Sequence, residues 1–161
     1  MTEIKLTLQE IYNLALKTLI FNGCDEFNAE AVATTVTHAE RDGSVSHGLF
    51  RIPGYVAALK SKKAKGNSKP SNVMLTQNVI RVDGDFGFAP LAIKTGIPKL
   101  VEITNKHGVG VLTITNTHHF AALWHETEAL AKENLIGIAC TAYKPSVAPA
   151  GATKPLFGTN P

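Results

Sequence analysis

At 161 residues, with 44% hydrophobic and 18% charged side chains, the chain has enough apolar content to bury a core, which excludes a disordered polymer. A net charge of +3 argues weakly for anionic ligands and does not by itself imply nucleic acid. No run is long enough for a membrane span or a signal peptide, and Cys24 and Cys140 lack CxxC spacing, so a soluble, reducing, cytoplasmic setting is expected, with Cys140 a buried free thiol.

Thr7-Leu8-Gln9-Glu10 reads as a capping box opening a helix whose apolar positions run from Leu8 to Ile20, and Asn22-Gly23 stops it. A second helix is predicted from Asn28 to Asp42, ending at Gly43. Ser46 is expected to cap a third helix carrying Leu49, Ile52, Val56 and Leu59 on its buried face, with Pro53 kinking its second turn. Lys60 to Pro70 reads as a lysine-rich solvated loop, without aromatic residues to stack a base.

Strands are predicted at Val73–Leu75 and Val79–Val82, closed by Asp83-Gly84-Asp85. Pro90 suits the first turn of a helix interrupted at Gly96 and Pro98 and ending at Gly108. Val109–Thr115 is a predicted strand, Ala121 to Glu133 a helix, and Leu135–Ala142 a buried strand. Helices followed by alternating strands and helices predict an α/β (α+β) domain with a helical N-terminal layer. Residues 1–72 form that layer and residues 73–161 begin an α/β part, which ends in an untied loop at Lys154–Pro161.

Neither Gly108-Val109-Gly110 nor Gly84-Asp85-Phe86-Gly87 completes a Rossmann fingerprint, and there is no P-loop. His125-Glu126-Thr127-Glu128-Ala129 begins like HExxH but has alanine at the second ligand, so no metal site is expected. His118 and His119 lie after a strand and before a helix, where open α/β sheets place ligands; two loop histidines with local hydrogen bonds fit the spacing equally well. On a helix capped by Ser46, His47, Arg51 and Tyr55 project from one face, giving a group that titrates near neutrality beside a carboxylate anchor. Gly48 would let a ligand approach the backbone. A polar helix face with Tyr55 half buried satisfies the same spacing.

Three motifs in order shift that balance: Ser46-His47-Gly48 with Arg51, Pro53 and Tyr55; Asn116 to Phe120; and Gly158-Thr159-Asn160-Pro161. Together they resemble the malate/L-lactate dehydrogenase-like oxidoreductases, which bind NAD(P)H on a non-Rossmann fold. Arg41-Asp42-Gly43, Phe50 to Val56 and His118 to Trp124 are most similar to that family's cyclic imine reductases, whereas its keto-acid members tend to carry glycine where this chain has Ala121-Ala122.

The resemblance implies Ser46 and His47 as catalytic residues. Arg51 and Thr159 would bind substrate, and His119, Phe120, Ala121, Ala122 and Leu123 would line NADPH, with NADH possible. The implied reaction reduces Δ1-piperideine-2-carboxylate or Δ1-pyrroline-2-carboxylate to L-pipecolate or L-proline; a malate- or lactate-type keto-acid dehydrogenase is the alternative. A small carboxylate substrate and a homodimer are the implied partners, with no nucleic acid and no membrane. Family members are roughly twice as long, and the aspartate completing their Ser–His relay falls beyond this chain. A non-catalytic remnant or half of a split enzyme is therefore a further expectation.

Overall fold

A computed structural model describes residues 4–160. The chain divides into two compact units, Met1–Ala122 and Leu123–Pro161.

In the first unit, α1 (Leu8–Phe21) opens on the expected capping box. The Thr7 N–H donates to the Glu10 carboxylate at 2.8 Å, and the Glu10 N–H donates to Thr7 Oγ1 at 3.2 Å. Helix α2 (Glu26–Arg41) starts two residues before Asn28, because the Asp25 carboxylate takes the cap and accepts the Asn28 N–H at 2.9 Å. Asn28 is thus freed to be a buried anchor. Its side-chain amide donates to the Ser68 carbonyl at 3.1 Å, and its amide oxygen accepts the Ser68 hydroxyl at 2.6 Å.

Alanines 29 and 33 on α2 leave room for Ala15 and Leu19 of α1, and Val32, Val36 and Phe88 complete this core. The lysine-rich loop is pinned to it rather than solvated throughout. Ala64 and Ser68 are buried, the Asp25 N–H donates to the Gly66 carbonyl at 2.8 Å, and Lys65 pairs with Asp85.

The predicted helix from Ser46 is instead two short 3-10 turns, Val45–His47 and Leu49–Arg51, followed by α3 (Ile52–Lys60). Pro53 explains the difference. Having no N–H, it fits the first turn of a helix but clashes in the second, so the α-helix starts at Ile52 and the upstream residues tighten to shorter-range bonds. The His47 N–H donates to the Ser44 carbonyl at 2.8 Å and the Arg51 N–H to the Gly48 carbonyl at 3.0 Å.

Strands β1 (Ser71–Thr76) and β2 (Val79–Asp83) pair antiparallel, and β3 (Val111–Thr115) joins β2 in parallel, giving the order β1-β2-β3. The crossover between the parallel strands is α4 (Ala89–His107), which runs unbroken through Gly96 and Pro98. The Gly96 expected to interrupt it is a packing point: a Cβ there would lie 2.8 Å from Leu112 and 3.0 Å from Val82. Pro98 keeps its ring on the exposed side, and Gly108 ends the helix in the left-handed region at φ 81°.

The second unit carries α5 (Trp124–Lys132), whose buried apolar side chain is Leu130. It starts three residues later than expected. Leu135–Ala142 is not a strand: a ladder needs a neighbour, and this segment pairs with none among the described residues. Its side chains alternate in exposure, with Ile136 98% and Ile138 92% exposed, and Cys140 is exposed rather than buried.

Further on, Val147 and Phe157 form an antiparallel bridge. Gly158 and Asn160 of the terminal motif clasp Tyr143. A Cβ at Gly158 would sit 2.1 Å from the Tyr143 carbonyl oxygen, and Asn160 Oδ1 accepts the Tyr143 N–H at 2.9 Å. Thr159 lies between them, exposed.

Candidate active site

Polar groups of the first unit meet where the 3-10 turns, α3 and the loop after β3 converge. Ser46 Oγ lies 2.9 Å from His47 Nδ1, and Ser44, which spacing did not single out, lies 3.4 Å from the same nitrogen. The Arg51 Nε–H donates to the Ser46 carbonyl at 2.6 Å, so the turn that presents His47 also orients the guanidinium. No carboxylate among the described residues pairs with Arg51, leaving it able to grip a ligand's carboxylate by a fork of N–H donors.

Gly48 does not leave room for a ligand. A Cβ there would lie 2.0 Å from Glu40 Oε1, and that carboxylate accepts the Leu49 N–H at 2.6 Å. Glycine is required so that α2 can clasp the turn.

His118 and His119 follow β3 at the carboxyl end of the parallel pair, held by the His118–Phe88 bridge. The adjacent imidazoles diverge: His118 meets the edge of Phe88 at 5.9 Å and His119 that of Tyr55 at 5.5 Å. Tyr55 is 3% exposed, more buried than expected, and its hydroxyl lies 3.0 Å from His119 Nδ1.

Burial and the nearby cations favour neutral imidazoles here. Burial, then Arg51, lowers the His47 pKa, and burial, then Lys63, lowers that of His118. His119 is pushed down to about 4 by burial, then by Arg51, His118 and His47. These mutual influences place His47, Arg51 and His119 in one neighbourhood. Burial, with Arg51 opposing it, drives Tyr55 up to about 12. Phe120 and Ala121 are half-buried and Ala122 is buried, beside the hydrogen-bonding imidazole of His119. Leu123 and Thr159 belong to the second unit.

A match to the malate/L-lactate dehydrogenase family spans residues 6–161. The chain belongs to that family. Over all of its length it is 40% identical to Delta(1)-pyrroline-2-carboxylate reductase 1 of Burkholderia ambifaria, covering 47% of that protein. The crystal structure of Δ1-piperideine-2-carboxylate reductase from Pseudomonas syringae superposes with a TM-score of 0.83 at 32% identity, over 98% of this chain and 48% of that one. Malate dehydrogenase from Pyrococcus horikoshii superposes at 0.90 with 25% identity, over 98% and 45%. The α/β fold is therefore that of the malate/L-lactate dehydrogenases, and the chain spans about half the length of the curated relatives it matches, as an N-terminal half would.

The spacing of His47, Arg51 and Tyr55 was visible in sequence. The Tyr55–His119 bond, across 64 residues, and the Glu40 clasp were not.

Proposed function

We propose that this chain carries the carboxylate-anchoring and proton-handling half of a reductase for Δ1-pyrroline-2-carboxylate or Δ1-piperideine-2-carboxylate, forming L-proline or L-pipecolate. The observation that carries the reading is the Ser46–His47–Arg51 turn. A guanidinium without a carboxylate partner among the described residues is fixed by the carbonyl of the same serine whose hydroxyl meets the imidazole. Arg51 would hold the substrate carboxylate, His47 would deliver the proton to the ring nitrogen, and Ser46 would orient His47.

His119, Phe120, Ala121, Ala122 and Leu123 would line a nicotinamide cofactor, NADPH in preference to NADH, and Thr159 would touch substrate. The apolar Phe120, Ala121 and Ala122, an imidazole held neutral at His119, and the neighbouring Arg51 and Lys63 suit a flat ring attached to phosphates. When bound, that cofactor supplies the hydride; the protein positions the imine and supplies charge and proton. Residues 73–161 would begin the cofactor-binding part and residues 1–72 the layer bearing the Ser-His-Gly motif. A homodimer and a cytoplasmic setting come with the same reading.

Substrate profiling tests it. NADPH oxidation is expected to be faster with the cyclic imines than with pyruvate or oxaloacetate; the reverse order would favour the keto-acid dehydrogenase alternative. Turnover should fall as pH rises through a value below the ordinary histidine 6.5, because burial and Arg51 lower the pKa of His47. Arg51→Ala should weaken imine binding by about 1.5–3 kcal/mol.

A second reading is that the chain works only with a polypeptide supplying the other half of its relatives' length, or is non-catalytic. The unpaired Leu135–Ala142 segment, with Ile136 and Ile138 bare, favours it. Coexpression with the C-terminal half of the Burkholderia ambifaria reductase should restore imine reduction under this reading, and activity of the chain alone would remove it.

A further inference from the structure

Two donors converge on one lone pair of His119. Its Nδ1 lies 3.0 Å from the Tyr55 hydroxyl and 3.2 Å from the Ala121 nitrogen, whose N–H donates to it. A backbone N–H can only donate, so Nδ1 carries no proton and the neutral ring bears its hydrogen on Nε2. The Tyr55 hydroxyl must then donate as well.

The surroundings hold this arrangement in place. Tyr55 is buried, with its ring edge-on to Phe88 at 5.1 Å. His119 at φ 53° and Ala121 at φ 56° occupy the left-handed region, unfavourable for residues with a Cβ, and this backbone path aims the Ala121 N–H back at the imidazole.

We propose that Tyr55 is a positioning residue which, with the Ala121 N–H, fixes His119 as a neutral Nε2–H donor. His119 then offers a hydrogen bond to an acceptor oxygen of a bound ligand without giving up its proton, while His47 is the imidazole that changes charge. The ionisable groups facing His119 act in the same direction: Arg51, His118 and His47 all disfavour its cation, and burial adds most, so that it stays neutral above about 4. The inference rests on the reductase reading only in making that ligand the cofactor or the imine.

Long-range proton–nitrogen NMR on the chain labelled with 15N-histidine tests it, with His119→Asn assigning the resonances. The neutral Nε2–H pattern is expected to persist for His119 from about pH 5 to 8, where an ordinary histidine titrates. An Nδ1–H tautomer, or titration near 6.5, would overturn the proposal. Tyr55→Phe keeps the ring contacts and should raise the proton affinity of His119 about fivefold to tenfold, the equivalent of one lost hydrogen bond. If Tyr55→Phe does not fold, fluorotyrosine in place of the three tyrosines, a stronger donor, should lower that affinity instead. No change in either folded variant would overturn the role of Tyr55. The readout needs no turnover, so a locked His119 in a chain that fails to reduce imines even when coexpressed with a complementary half would remove the reductase reading and leave this one intact.

Discussion

The two units differ in how much apolar core each of them builds. In the first, Phe88, Leu19, Ile80, Val32, Val36 and Val82 are fully buried, and the polar groups among them are matched, as Asn28 is by Asp25 and Ser68. In the second, Leu130 is the buried apolar side chain among the described residues, while Ile136 and Ile138 stand bare and Glu126 Oε2 has no hydrogen-bond partner among them. The first unit builds a core around its buried residues, although it also leaves Phe21, Phe27 and Phe50 exposed. The second presents a strand-like sequence with no ladder partner among the described residues, and a segment of alternating apolar residues is one that proteins ordinarily cover. The candidate Ser–His–Arg turn and His119 lie in the unit with the larger core, whereas Leu123 and Thr159 lie in the other.

The sharpest way to break this contrast is at Phe88, which joins the helical core and touches both Tyr55 and His118. Phe88→Ala should cost about 3–5 kcal/mol in denaturant unfolding followed by tyrosine fluorescence. It should also raise the proton affinity of His119, because Tyr55 loses the packing that aims its hydroxyl at the imidazole. A loss below about 1 kcal/mol would mean the first unit is not the well-packed one.

Acid and base should then distinguish the units. Burial pushes Glu126 up to about 7 from the ordinary 4.5, so the folded state binds its proton more tightly than the unfolded state. Its contribution is present below 4.5 and is lost as pH rises to about 7. His119 does the reverse. With its pKa down at about 4, the folded state binds a proton less readily, and stability is lost as pH falls from 6.5 towards 4. Glu126→Gln should raise stability above neutral pH by about 1–3 kcal/mol and leave it unchanged in acid, read by unfolding midpoints across pH. A gain equal at every pH would remove the ionisation argument.

Ala121 offers a smaller test. Glycine there relieves the left-handed strain at φ 56°, and Ala121→Gly should stabilise the first unit by about 1 kcal/mol, less the entropy glycine adds to the unfolded chain. A destabilisation would show that the methyl group makes packing contacts that outweigh the strain.

What could be read from sequence follows from the range of the interactions. The capping box at Thr7, the Asn22 stop and the Gly108 cap are settled within four residues of chain, and all three stand where expected. The start of α3 was misplaced because Ser46 has the right chemistry for a cap, while Pro53 decides the register from seven residues downstream. Gly96 looked like a breaker because the Leu112 and Val82 side chains that need its missing Cβ come from strands far away in sequence. The same limit hid half of the site. His47 and Arg51 are neighbours in sequence, but Tyr55 meets His119 only through the fold, and Gly48 serves Glu40, a contact with no local signature.

Leu135–Ala142 has a strand's composition, but a strand is a relation between two segments, so composition cannot supply the second. That makes the smallest predicted effect the most discriminating. Ile138 is 92% exposed, so Ile138→Lys should change the unfolding free energy of this chain by less than about 0.5 kcal/mol, as expected for a surface position. In a coexpressed complex with the complementary half of a relative, the same lysine would have to enter a covered sheet face, and assembly in size-exclusion chromatography should be lost. A large loss in the isolated chain would mean that the segment is already covered and the contrast between the units is false. A lysine tolerated in both states would mean that the complementary half docks elsewhere.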